Sequence, residues 1–178
     1  MKKLWRATGV SNETNILVKD ACMLFDMIRL DLMEHFFELG YEVFTTQAVV
    51  DEITDQRQYS IVGKYVYEGR MVVDSTPDND QIFELAFENR GLSLVDCSVL
   101  DLARRKNGVI LSSDSSLRRA SERMKIEVHG ILWIIDMLIS GEIISGSIGI
   151  FKLQEYRKIN PRAPIKEIDD RIEQLSQC

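Results

Sequence analysis

Short runs rich in β-branched residues alternate along this chain with longer stretches whose apolar residues recur at helical spacing. That alternation predicts βαβ units built around a largely parallel sheet. Strands are expected at Ile16 to Val18, Tyr41 to Thr45, Met71 to Val73, Val109 to Leu111 and Ile126 to Val128. Between them the spacing predicts helices over Met23 to Leu39 with Gly40 as a stop, Gln47 to Asp55, Asp80 to Asn89, Ser93 to Lys106, 115–124 and Ile131 to Ser140. Ser75-Thr76-Pro77 reads as the start of the Asp80 helix, and Asn107-Gly108 as the stop of the Ser93 helix. The stretch from Tyr59 up to the Met71 strand fits an extended excursion or a short helix. The architecture expected is three-layer α/β/α with a central, mostly parallel sheet.

With 178 residues, 45% of them hydrophobic, the chain can bury the core of one domain. Residues 1–145 are read as that domain and 146–178 as an appendage, rich in glycine and proline at first and ending in an acidic amphipathic segment from Lys166 to Gln174. The basic start, MKKLWRATGV, has no apolar run behind it and does not read as a secretory signal. The longest apolar stretch, Ile131 to Ile144, is interrupted by Asp136, Gly141 and Glu142 and falls short of the ~20 residues a membrane span needs, so no membrane is expected. Three cysteines, Cys22, Cys97 and Cys178, lack CxxC spacing and fit neither a disulfide framework nor a thiolate zinc site, which points to a reducing cytoplasm. A net charge of −6 means that any nucleic acid must be held by local basic patches.

Four acids stand at the ends of these elements. Asp20 closes the first strand, at the carboxyl edge where parallel α/β sheets bind ligands, though alone it reads as a helix cap. Glu52 lies on the Gln47 helix beside Asp51, about 100° away around the axis, so at most one of the two points into a cleft. Asp96 completes a capping box with Ser93 and, in the first helical turn, is kept ionised by the helix dipole. Asp114 follows the strand Val109 to Leu111, with Ser113 and Ser115 beside it as further oxygen donors. Carboxylates gathered from four such places repel one another unless a cation lies between them.

These residues resemble the PIN domain family, the metal-dependent ribonuclease fold that includes VapC-type toxins of toxin–antitoxin pairs. The resemblance spans about residues 14 to 140 and is most specific in LSLVDCSVLDLARRKNGVILSSDSSLRRASERMKIEVHG. It implies a PIN-like fold in which Asp20, Glu52, Asp96 and Asp114 match the family's four acidic positions. Two positions depart from the common pattern: Cys22 stands where asparagine, serine or threonine is frequent, and Ser113 where many members carry an acid or glycine.

Hard oxygen ligands without a histidine cluster favour Mg²⁺ or Mn²⁺, held by Asp20, Asp96 and Asp114. His35 and His129 have no ligand spacing and are read as structural. The chemistry expected is in-line hydrolysis of an RNA phosphodiester, with Arg118, Ser113 and Arg105 contacting substrate. The resemblance also implies a possible antitoxin protein and a homodimer as partners. The alternative from another class is a catalytically silent PIN-like module that binds a protein or RNA. A phosphoacceptor receiver would need paired acids after the first strand and a haloacid-dehalogenase-type phosphatase DxD; VKDAC supplies one acid and then Cys22.

Overall fold

The computed structural model describes residues 15–18 and 21–177, and the side chains of 15, 17, 18, 21 and 22 are outside that description. Among the described residues five strands form a single sheet: β1 (Asn15–Val18), β2 (Glu42–Thr46), β3 (Val72–Asp74), β4 (Val109–Leu111) and β5 (Val128–His129). Their order is β3-β2-β1-β4-β5 and every pairing is parallel. All five carboxyl ends therefore lie on one edge, and β1 stands where the winding reverses, with β2 on one side and β4 on the other. Among the described residues no helix is long and apolar enough to cross a membrane.

The chain divides into two compact units. Among the described residues the strand unit comprises 15–18, 21–23 and 41–130, and the helical unit 24–40 and 131–177. At the centre of the strand unit is α6 (Leu94–Lys106), in which Asp96 to Ala103 are all buried. Helices with one wet face do not bury eight residues in succession; α6 does because it packs on α5 (Asn79–Glu88), on the short α3 (Gln47–Asp51) and on β1, β2 and β4. Val109, Ile110 and Leu111 of β4 are likewise all buried, as a strand covered on both faces requires. Cys97, Leu100, Leu102, Ile110 and Leu117 carry the core between them.

The expected elements are mostly present, with differences that have local causes. The predicted helix over Met23 to Leu39 is two helices, α1 (Ala21–Arg29) and α2 (Met33–Glu38), separated by Asp31 at φ 51°. The turn buries Leu30, Leu32 and Met33, which no single amphipathic face could cover together. The predicted helix over Gln47 to Asp55 ends at Asp51, and Asp55 instead caps α4 (Gln56–Tyr67), its Oδ1 accepting from the Gln58 amide at 2.8 Å. The ambiguous stretch is thus helix followed by β3. Asp78, not Ser75 or Thr76, caps α5, while the Thr76 hydroxyl donates to Asp74. The last strand starts at Val128 rather than Ile126.

In the helical unit, α8 (Ile131–Ser140) packs against α2 and α9 (Gly146–Ile159), and α9 against α10 (Ile165–Ser176). Polar clips join these helices to residues 24–40: Lys152 Nζ donates to the Leu30 carbonyl, and Asn160 Nδ2 to Asp26 at 2.8 Å. Arg171 on α10 grips both oxygens of Asp136 on α8, at 2.9 to 3.1 Å. Gly149 lets α9 lie close to Ile139: a Cβ there would stand 2.4 Å from Ile139 Cδ1.

Candidate active site at the carboxyl edge

A parallel sheet whose winding reverses opens a crevice beyond the carboxyl ends of its strands at that point. Here the reversal lies between β1 and β4, whose last residues, Val18 and Leu111, are paired. Asp20, two residues beyond β1, lies outside the described residues.

Asp114 caps α7 (Ser115–Arg123), its Oδ1 accepting from the amides of Ser116 at 2.7 Å and Leu117 at 2.8 Å. Its own amide donates to the hydroxyl of Ser112, a side chain with no exposure. Ser113, the expected substrate contact, is exposed, so the serine that shapes this turn is the buried one before it. Sequence reasoning missed Ser112; its place as the first residue after a wholly buried strand was the available signal.

Asp96 is 8% exposed and makes the capping box read from the sequence: Oδ2 accepts from the Ser93 amide at 2.8 Å and the Ser93 hydroxyl at 2.9 Å. Its helix turn is pinned to the sheet edge by a relay of hydroxyls. The Ser98 hydroxyl donates to the Val95 carbonyl at 2.8 Å, which leaves Thr46 Oγ1 to donate to Ser98 Oγ at 2.9 Å. Thr46 in turn accepts from the Val49 amide and so caps α3. The first turn of α6 is therefore fixed at the end of β2, and Asp96 with it.

Glu52 is exposed and forms the C-cap of α3, one residue beyond its last turn. Gln47 donates to Asp51 at 2.8 Å along the same helix. Beside this edge is a cavity of about 190 Å³ whose lining includes Thr46, Asp74, Ile82, Phe83, Leu94 and Ser98.

Of the expected substrate cations, Arg118 donates through Nη1 to the Val128 carbonyl at 2.5 Å, tying α7 to β5. Arg105 is taken up by two carboxylates, donating through Nη2 to Asp74 at 2.6 Å and through Nε to Asp101 at 2.8 Å. Asp101 is 3% exposed, a buried acid that sequence reasoning left aside even though its i,i+4 spacing to Arg105 was visible. Burial pushes the Asp74 carboxyl up, but the bonds from Arg105 and Thr76 outweigh it and leave Asp74 below the ordinary aspartate value.

Cys97 has no exposure; burial, with the Asp96 carboxylate beside it, pushes its thiol up to about 11. Such a thiol stays protonated and packs as a small apolar group. His35 pairs with Glu38 and His129 with Glu127, each at 3.1 Å, and among the described residues no group of three or more His, Cys, Asp or Glu side chains could hold a metal ion. The donors at this edge are all oxygens, which suits a hard divalent cation in kind, and Asp96 and Asp114 are the described members of the expected ligand set.

A protein-family model described as a PIN domain matches residues 16–174, nearly the whole chain. No curated protein matches it.

Proposed function

The chain belongs to the PIN domain family, a nuclease-type fold of mixed α/β build, and from that premise we propose that it is a Mg²⁺- or Mn²⁺-dependent endoribonuclease. One observation carries the reading. Elements far apart in sequence deliver acids toward one edge: Asp114 leaves β4 beside β1, and the hydroxyl relay from Thr46 to Ser98 holds the Asp96 turn at the end of β2. In this proposal Asp20, Asp96 and Asp114 hold the ion and Glu52 is the fourth acid of the centre. The ion, when bound, supplies an activated water and offsets the charge developing on the phosphodiester. The chain does the rest: amides at the head of α7 hold the Asp114 carboxylate in place, the Ser93 box fixes Asp96 in one rotamer, and Ser113 and Arg118 meet substrate. Arg105, bound to Asp74 and Asp101, serves by setting that edge of the cleft.

The proposal extends to a cytoplasmic toxin with an antitoxin partner and a homodimeric state, with the centre in residues 1–145 and α9 and α10 as an appendage. A second reading, a silent module that binds a protein or RNA, draws on the capping bonds, since Asp96 and Asp114 both have structural work to do.

Substitution separates the two roles. Asparagine is as good an N-cap as aspartate but a far weaker metal ligand, so Asp114→Asn should leave unfolding stability within about 1 kcal/mol of wild type. The same change should lower Mn²⁺-dependent cleavage of a mixed RNA pool roughly a hundredfold or more, and Asp96→Asn should do likewise. Cleavage that survives both a chelator and these substitutions would overturn the proposal. The silent module would instead show no cleavage and no thermal stabilisation by Mn²⁺.

A further inference from the structure

The basic residues of this acidic chain are unevenly placed. From Arg104 to Lys125 there are seven, Arg104, Arg105, Lys106, Arg118, Arg119, Arg123 and Lys125, against two acids, Asp114 and Glu122, although the whole chain carries −6. Two of them, Arg104 and Arg123, are exposed and line one cleft of about 470 Å³ within the strand unit. Leu85, Glu88, Asn89 and Met124 complete its lining, so the cleft lies where α5, α6 and α7 end. Arg123 is already oriented, because its Nη2 donates to Asn89 Oδ1 at 2.7 Å and Asn89 Nδ2 is anchored on the Leu85 carbonyl at 2.9 Å. Leu85 is buried and Met124 half-buried, which gives the cleft an apolar floor, and its rim sets the two arginines against one exposed carboxylate, Glu88.

We propose that this cleft is a second RNA-contact point, in which Arg104 and Arg123 hold a backbone phosphate of the strand and Met124, backed by the buried Leu85, receives an adjoining base. The chemistry matches a single-stranded nucleic acid, which needs both a cation for its phosphate and an apolar surface for its base face. An acidic peptide would use the arginines alone, and an apolar partner the floor alone. Geometry connects the cleft with the candidate active site: α7, capped by Asp114, ends at Arg123 nine residues on, a rise of roughly 13 Å. An extended strand bound at the carboxyl edge would cover that distance within a few nucleotides. Arg119, one turn before Arg123 on α7, is exposed along the way.

The inference deepens the ribonuclease proposal and rests on it for the identity of the strand, so the test separates binding from cleavage. Binding of a labelled single-stranded RNA, long enough to span both points, is followed by fluorescence anisotropy with chelator present, between about 50 and 200 mM salt. Each lost phosphate contact should flatten the slope of log affinity against log salt by about 0.7. Arg104→Gln with Arg123→Gln should therefore flatten it by up to about 1.4 and weaken binding, whereas Arg57→Gln on α4 should leave both unchanged. Cleavage with Mn²⁺ is measured in parallel on the long RNA and on a dinucleotide. The double variant should raise KM for the long RNA with little change in kcat and should cleave the dinucleotide like wild type.

Normal slope and affinity in the double variant overturn the cleft, and if Mn²⁺-dependent cleavage persists they do so with the nuclease proposal intact. Arginine-dependent binding without any cleavage supports the cleft and removes the nuclease. A wild-type protein that neither binds nor cleaves RNA removes both.

Discussion

Each compact unit holds an aspartate–arginine pair, and the two pairs respond to protons in opposite ways. In the strand unit Asp74 meets Arg105, and in the helical unit Asp136 meets Arg171. The carboxylate side chains are almost equally exposed, 13% for Asp74 and 16% for Asp136, so surface exposure does not separate them. For Asp136 burial among surrounding protein is the dominant influence and pushes the carboxyl up; the Arg171 fork only partly reverses it, and Glu167 adds repulsion. For Asp74 burial also pushes up, but Arg105 and the Thr76 hydroxyl prevail. The lesson is that an ion pair seen in a structure does not by itself announce stabilisation at neutral pH.

Deleting the arginines should break the comparison hardest. Arg105→Ala abandons two largely buried acids, Asp74 and Asp101, and should cost about 3 kcal/mol; Arg171→Ala abandons Asp136 and the exposed Glu167, 3.9 Å away, and should cost about 2 kcal/mol, both reduced from fully buried pairs by partial exposure. Urea unfolding at neutral pH measures both. Equal losses, or the reverse order, would mean that the burial of Arg105's second carboxylate, Asp101, is not what distinguishes the strand unit.

A smaller effect sharpens it. Asp74 has its value lowered by folding, so its contribution is complete above the ordinary aspartate value of about 3.9 and is lost as pH falls through the lower folded value. Asp136 has its value raised, so its contribution is complete below about 3.9 and is lost as pH rises through the raised value. The stability lost in Asp74→Asn should accordingly shrink on acidification, and that lost in Asp136→Asn should grow. Parallel pH curves for the two variants would refute the assignment.

What the sequence disclosed follows from the range over which each feature is decided. Ser93 and Asp96 are three residues apart, and their capping box was legible because both partners fall in one turn. Asn107 as the stop of α6 was legible for the same reason, and its left-handed φ of 49° is one that asparagine tolerates. Strand β4 announced itself as an unbroken apolar run. The caps at Asp55 and Asp78 were not legible, because a polar residue becomes a cap only once tertiary packing has chosen the first helical turn. The break after α1 was hidden for a similar reason, since Leu30, Leu32 and Met33 satisfy a helical pattern until each must be buried. At the candidate site the acids at strand and helix ends could be named in advance, but not the partners that position them. Thr46 and Ser98 are 52 residues apart, and Arg105 reaches 31 residues back to Asp74.

The smallest expected effect compares one residue type in one role across the two units. Ser93 caps α6 in the strand unit with a bond of 3.0 Å from the Asp96 amide, reinforced by the return bonds to the Asp96 carboxylate. Ser145 caps α9 in the helical unit with a longer bond of 3.3 Å from the Ile148 amide and no return bond to the cap, its hydroxyl otherwise meeting that of Ser147 at 2.9 Å. Ser93→Ala should therefore cost about 1.5 kcal/mol and Ser145→Ala about 0.5 kcal/mol, both within the range for lost caps. Ser93→Ala should also slow Mn²⁺-dependent cleavage, because Asp96 loses one of the bonds that fix its rotamer, while Ser145→Ala should leave the rate alone. If both changes cost the same and neither touches cleavage, the box at the head of α6 is a helix cap with no part in holding the acid for chemistry.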